Sequence, residues 1–251
     1  MTDDALRARN RATLLACFEQ NALGARDARV VHAPGVAVAV FAAAPESAFF
    51  NNAVLDRGLP PAELASAVEA VRIEYATAGV AEYAVWTTEG DGSARRFLET
   101  HGYRRSETTL AMSAEFRASA PAPGPAIPGL EIVWGAWDEY VELLEIPGFL
   151  AGADRDAYRI ATARLDGVPV AAGMAFHHDG DCGIFNVGTV ESARRRGIGA
   201  AVTRALLDDG AVRGQATASL QSTPMGERVY ASVGFHAVDR ILEFTPLDQV
   251  E

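Results

Sequence analysis

Apolar residues recur along the chain in two rhythms. Over residues 4–23, Leu6, Leu14, Leu15 and Phe18 fall near one face of a helix, because spacings of three and four bring side chains to the same side. Residues 61–78 keep that rhythm through Leu64, Val68, Val71 and Tyr75. Short β-like runs bounded by Pro and Gly cover 28–32, 35–41 and 48–55. A strand over 82–88, a helix over 93–100 and a strand-like tail from Tyr103 through Met112 follow. Further on, the spacing predicts a helix at 137–145 and strands at 158–165, 168–177 and 182–190. A helix at 197–213, a strand at 216–221, a helix at 224–233 and a strand at 238–244 complete the series. Hairpin strands followed by alternating helix and strand predict an α+β fold with a mixed, largely antiparallel sheet.

That order occurs twice. Between the copies, Pro121, Pro123, Pro125 and Pro128 stand among small residues, a composition that suits neither a helix nor a central strand. The expected organisation is a domain at 1–118, a Pro/Ala linker at 119–128 and a second domain at 129–251, tandem copies of one fold flanked by helices.

Composition narrows the chemistry. The 251 residues are 49% hydrophobic and 22% charged, which suits a folded chain rather than a disordered one. No apolar run reaches the ~18 residues of a spanning helix. The acids and arginines of the first eleven residues do not read as a signal peptide, so a cytoplasmic location without membrane partners is expected. Cys17 and Cys182 are far apart and lack metal-ligand spacing, so no metal is expected. All 22 positive charges are arginine. Without lysine, Schiff-base chemistry, pyridoxal phosphate attachment and a P-loop lysine are excluded. A net charge of −11 disfavours general nucleic-acid binding.

The sharpest local feature is Arg194-Arg195-Arg196-Gly197-Ile198-Gly199-Ala200, between a predicted strand and a predicted helix. Arginine is disfavoured at a helix start, where unpaired N–H groups already carry partial positive charge. Three in a row, with two glycines to let the backbone turn, suit an anion of several charges such as a pyrophosphate. A solvated basic helix start with a glycine turn is the plainer reading. A dinucleotide fold fits less well, because Val202 takes the third glycine position of its fingerprint.

Arg194-x-x-Gly197-x-Gly199 resembles the coenzyme A pyrophosphate loop of the GNAT N-acyltransferases. Downstream, residues 221–235 contain Tyr230 four residues before Gly234-Phe235, similar to that family's closing motif. The resemblance implies two tandem GNAT-like domains and an acyl-CoA-dependent N-acyltransferase, most simply an acetyltransferase. It implies acetyl-CoA as acyl donor, held by the loop 194–200. It further implies that Val187, Gly188 and Thr189 hold the acyl carbonyl and pantetheine arm, and that Tyr230 protonates the departing thiolate. A phenol of pKa about 10 can do this. A small-molecule amine is the expected acceptor, and oligomeric state stays open.

The general base is not assigned. The carboxylate that some relatives carry early in the fourth strand is replaced by Gly183 and Phe185; His177, His178 and Asp181 are the nearest titratable groups, and Asn186 or Ser222 can position a water. The first half repeats the pattern without the chemistry. Residues 95–103 match the closing motif with Leu98 in place of the tyrosine, and the loop position reads Arg57-Gly58-Leu59-Pro60-Pro61. Prolines there remove N–H donors. Asn51 and Asn52, beside Phe49 and Phe50, are candidates for lining an acceptor pocket or for a strand with buried rings. The alternative function is a non-catalytic coenzyme A-binding or regulatory module.

Overall fold

The computed structural model describes residues 1–116, 126–150 and 152–247. Most of the expected linker at 119–128 therefore lies outside the described residues. The first half runs α1 (Asp3–Gly24), β1 (Ala28–Ala33), β2 (Val36–Phe41), β3 (Asn52–Leu55), α2 (Pro61–Ala78), β4 (Ala84–Thr88), α3 (Gly92–Thr100) and β5 (Tyr103–Glu115). The second runs β6 (Leu130–Trp134), α4 (Trp137–Leu143), β7 (Tyr158–Leu165), β8 (Val168–His178), β9 (Asp181–Thr189), α5 (Ile198–Val212), β10 (Thr217–Ser222), α6 (Glu227–Ala231) and β11 (His236–Pro246). Three strands, helix, strand, helix, strand thus occur twice, as β1 to β5 and as β7 to β11. This is the predicted α+β fold, in tandem.

Two compact units form, and neither is one contiguous half. The larger takes the described residues of Met1–Cys17, Leu110–Gly148 and Asp154–Val238; the smaller takes those of Phe18–Thr109, Phe149–Ala153 and Asp239–Glu251. Each unit includes a strand segment from the other half of the chain. In the larger, β10 pairs antiparallel with β5 from Thr217↔Glu115 to Ser222↔Leu110. In the smaller, β11 pairs antiparallel with β4 from Ile241↔Thr88 to Phe244↔Val85.

The smaller unit orders its strands β1-β2-β3-β4-β11. Its core gathers Val38, Val40, Leu64, Val71, Leu98, Leu242 and Phe244. Helix α2 follows directly from its sequence. Pro61 occupies the first turn, and Gly79 ends the helix in the left-handed region, its N–H donating to the carbonyls of Ala76 and Tyr75. Leu64, Val68, Val71 and Tyr75 make the buried face, and each large apolar side chain buried contributes ~1.5–3 kcal/mol. The strand expected from residue 48 starts only at Asn52, because a turn intervenes in which Ser47 C=O accepts from the N–H groups of Phe50 and Asn51.

The larger unit orders its strands β5-β10-β9-β8-β7-β6. Helix α5 packs Ile198, Val202 and Leu206 on its sheet with Ala161, Ala171 and Ile184. Edge strand β6, which alternation alone does not reveal, is half-buried on both faces and pairs with β7 from Leu130↔Leu165. The helix expected over 224–233 shrinks to the five residues of α6, and Met225, before its start, is exposed.

Candidate active site

Strands β9 and β10 run parallel and pair over three positions only: Thr217↔Asp181, Ala218↔Cys182 and Ser219↔Gly183. Beyond these, β9 continues to Thr189 and β10 to Ser222 without pairing to each other. A split therefore opens between them. Asn186 stands on the β9 side of it with φ +51°. The pairing of β8 with β9 steps from Ala172↔Gly188 to Met174↔Phe185, so β9 carries one extra residue there, a β-bulge. A bulge leaves backbone groups without ladder partners and turns side chains to new faces. Val187 points toward α5, near Val202 and Leu206 around Gly173. Asn186 instead donates from its amide to the hydroxyl of Tyr140 on α4, at 3.0 Å.

The loop 194–200 leads from the end of β9 into α5. Arg194 Nε donates to Thr189 C=O at 3.1 Å, tying the loop to the strand. Arg195 has φ +61° and Gly197 φ +79°, left-handed conformations that direct successive N–H groups to one side. Gly197 caps α5 with no side chain on the helix end, and no acid stands in the first turn. The first backbone bond closing the helix runs from Ala201 N–H to Gly197 C=O, so the N–H groups of Ile198, Gly199 and Ala200 have no acceptor within it. Ile198 is buried and anchors the turn, while Arg194, Arg195 and Arg196 are exposed. Backbone N–H groups without an acceptor in the helix and three exposed cationic side chains thus share one turn.

Tyr230 lies at the other wall. A Cβ at Gly226 would come within 2.7 Å of the Tyr230 ring and 3.0 Å of Ser222 Oγ, so the ring lies over the end of β10 because residue 226 is glycine. Phe235 meets the ring edge-on at 6.1 Å. Burial pushes the phenol's pKa above its ordinary value, which keeps it protonated near neutral pH. A phenol kept protonated is able to donate a proton.

The base candidates read from the sequence do not stand at this split. Asp181 opens β9, seven residues before Gly188, a span of ~23 Å on an extended strand. Its buried carboxylate accepts from the hydroxyls of Thr217, at 2.6 Å, and Ser219, and so fastens β10 to β9. His177 Nε2 is 3.6 Å from Asp209, too far for a hydrogen bond, and burial lowers its pKa. Asp209 is engaged by Arg159 and Arg213. His178 stacks on Phe176. Gly183 also has a reason to be glycine: a Cβ there would meet Thr13 Cγ2 at 2.6 Å and the Phe185 ring at 2.7 Å. Ser222 donates to Thr223 C=O at 2.8 Å.

In the first half, Asn51 Oδ1 accepts from Phe41 N–H at 2.8 Å, while its amide donates to the carbonyls of Ala44 and Ser47. Asn52 donates to Phe49 C=O at 2.6 Å. Both amides hold turns rather than line a pocket. Sequence reasoning missed the bond between Asn186 and Tyr140, which joins residues 46 apart and has no local signature.

Among the described residues no cluster of three His, Cys, Asp or Glu is placed to hold a metal, and no helix is long and apolar enough to cross a membrane. The family model described as Acetyltransferase (GNAT) domain matches residues 133–221. A GCN5-related N-acetyltransferase from Kribbella flavida is 20% identical, with 94% of this chain and 95% of that one covered at a TM-score of 0.73. One from Sphaerobacter thermophilus is 17% identical over 84% and 76%, at 0.65. A tandem GNAT protein from the clavulanic acid biosynthesis pathway is 14% identical over 95% and 94%, at 0.64. No curated protein matches the chain in sequence. Residues 133–221, which take in β9, the loop 194–200 and nearly all of β10, thus match a GNAT domain, and the fold order they belong to occurs twice along the chain.

Proposed function

We propose that the protein is an acyl-CoA-dependent N-acyltransferase, most simply one that moves the acetyl group of acetyl-CoA to a primary amine. One observation carries the reading: the uncapped start of α5 and the phenol of Tyr230 flank the same split between β9 and β10. In this reading the pyrophosphate rests on the N–H groups of Ile198, Gly199 and Ala200, with Arg195 and Arg196 alongside. The pantetheine arm enters the split along Val187, Gly188 and Thr189, as the unpaired edge of β9 allows.

The chemistry then follows from position. The amine nitrogen attacks the thioester carbon, and backbone N–H groups at the bulge stabilise the developing oxyanion. The C–S bond breaks and the thiolate takes the proton of Tyr230. The nitrogen gives its surplus proton to water, and solvent restores the phenol. The products are an amide and free coenzyme A. The acceptor is a small-molecule amine, and no nucleic acid or metal takes part.

The second reading, a coenzyme A-binding module without turnover, is favoured by the glycine at position 183, where some relatives carry a carboxylate. Incubation of acetyl-CoA with a panel of primary amines, followed by thiol release, separates the two. The enzyme releases thiol in an amine-dependent way; tight binding of coenzyme A with no amine-dependent release supports the module.

A further inference from the structure

The Asn186 side chain is held by a hydrogen-bonded chain that ends in a sulfur. The Tyr140 hydroxyl donates to Met174 Sδ at 3.8 Å, which commits its proton. Its oxygen then accepts from Asn186 Nδ2 at 3.0 Å. Tyr140 is 2% exposed, and burial pushes its pKa up to about 12, so it stays a neutral phenol across the working range. With the amide NH2 turned toward Tyr140, the carbonyl oxygen of Asn186 faces the other way, on an exposed residue. The left-handed φ of +51° at the bulge puts it where β9 has left β10. Asparagine tolerates that conformation better than most residues.

Val187 and Asn186 point to opposite faces of the sheet, toward α5 and α4 respectively. The start of α5 offers the anion receptor, which leaves the α4 face for the acceptor. On that face the wall of the split presents Phe185 and Asn186, an aromatic ring and an amide oxygen. Gly183 is filled over by Phe185 and Thr13. The polar feature of this wall is therefore a neutral hydrogen-bond acceptor.

We infer that Asn186 binds the acceptor amine, its Oδ1 accepting an N–H of the uncharged amine, with Tyr140 as the positioning residue that fixes the amide's orientation. This rests on the acyltransferase reading. An amide oxygen is too weak a base to take the proton, so its task is to orient the lone pair toward the thioester carbon while the proton leaves to water. It suits amines that keep an appreciable neutral fraction near pH 7, such as α-amino groups with pKa ≈ 7.7–8.0, over alkylamines near 10.4.

The test is steady-state kinetics on the full chain with acetyl-CoA and an acceptor from the amine panel. Asn186→Gly keeps the left-handed backbone and removes the amide. One hydrogen bond contributes ~0.5–1.5 kcal/mol, so the KM for the amine should rise ~2- to 13-fold, with acetyl-CoA affinity by calorimetry unchanged. Asn186→Asp, which offers an oxygen in either orientation, should restore most of the amine affinity. Tyr140→Phe should raise the same KM ~3-fold, and the double variant should be no worse than Asn186→Gly, because a positioning effect vanishes with its target. An unchanged amine KM in Asn186→Gly, or additive losses in the double variant, would overturn the assignment. A wild-type chain that acylates no amine overturns the acyltransferase reading itself, and this inference falls with it.

Discussion

The two strand-to-helix loops at the matching points of the repeat have the same beginning and opposite ends. Both place a glycine in the left-handed region, Gly58 at φ +69° and Gly197 at φ +79°. In the smaller unit the Gly58 N–H is occupied: it donates to Asp91 Oδ2 at 2.8 Å. That carboxylate also caps α3, accepting from Ala94 N–H and Ser93 Oγ. Pro60 and Pro61 supply no N–H, Glu63 brings an acid into the first turn of α2, and Arg57 is paired with Asp239 at 3.2 Å. The loop at 194–200 has no internal carboxylate, no prolines and no acid in the first turn of α5. Arg195 and Arg196 make no ion pair among the described residues. The loop of the smaller unit meets its own anion, and the loop at 194–200 is left with donors and cations. The same contrast holds at the closing motif, where Leu98 is fully buried and Tyr230 lies half-buried over β10.

The largest expected effect breaks the contrast at its strongest point. Calorimetry with acetyl-CoA should give one site per chain, and Gly197→Asp should abolish it with the fold intact by circular dichroism. Charge-assisted bonds contribute ~1.5–3 kcal/mol each, so displacing two weakens binding ~10²–10⁴-fold, before the strain of a side chain at φ +79° and the repulsion of a new carboxylate. Two sites in the wild type, or unchanged affinity in the variant, would remove the basis of the comparison.

Tyr230→Phe makes the second half resemble the first at one atom. The ring's contacts with Gly226 and Phe235 remain, so affinity for acetyl-CoA should hold, while turnover falls by the ~10²–10⁴ typical of a lost general acid. An unaltered single-turnover rate would make the tyrosine a packing residue like Leu98.

What was legible in the sequence was local. Helix faces, the glycine turn before α5 and the tyrosine near the chain's last glycine-phenylalanine pair are written within a few residues, and the fold preserves them. What was not legible depends on distant partners. That β5 closes the sheet of the larger unit and β11 that of the smaller is decided by register between segments more than a hundred residues apart. The bulge at Asn186 is visible only against the ladder of β8. His177, His178 and Asp181 were drawn to the site by their nearness in sequence to β9, yet an extended strand carries its two ends far apart. The smaller unit's asparagines misled for a related reason, since an amide beside aromatic rings reads the same whether it faces a ligand or holds a turn.

The smallest expected effect sharpens the comparison from the other side, at Asp91. Its burial favours the neutral acid, and the bonds from Gly58, Ser93 and Ala94 more than reverse this, leaving the pKa below its ordinary value. A depressed folded pKa means stability that is present above the unfolded value of about 3.9 and is lost as pH falls through the folded one. Asp91→Ala should therefore cost ~1 kcal/mol at pH 7, as cap removals do. In a chain of this size that lowers Tm by ~2–4 °C, readable by calorimetry. The gap between wild type and variant should stay constant from pH 7 to about 5 and shrink below about 4, as the wild-type carboxylate takes up its proton. A gap of the same size at pH 3 would mean that shape, not charge, holds Gly58. The variant should also gain no second acetyl-CoA site, because freeing one N–H leaves Pro60 and Pro61 without any. If a second site did appear, Asp91 alone, rather than the prolines, would be what separates the two loops.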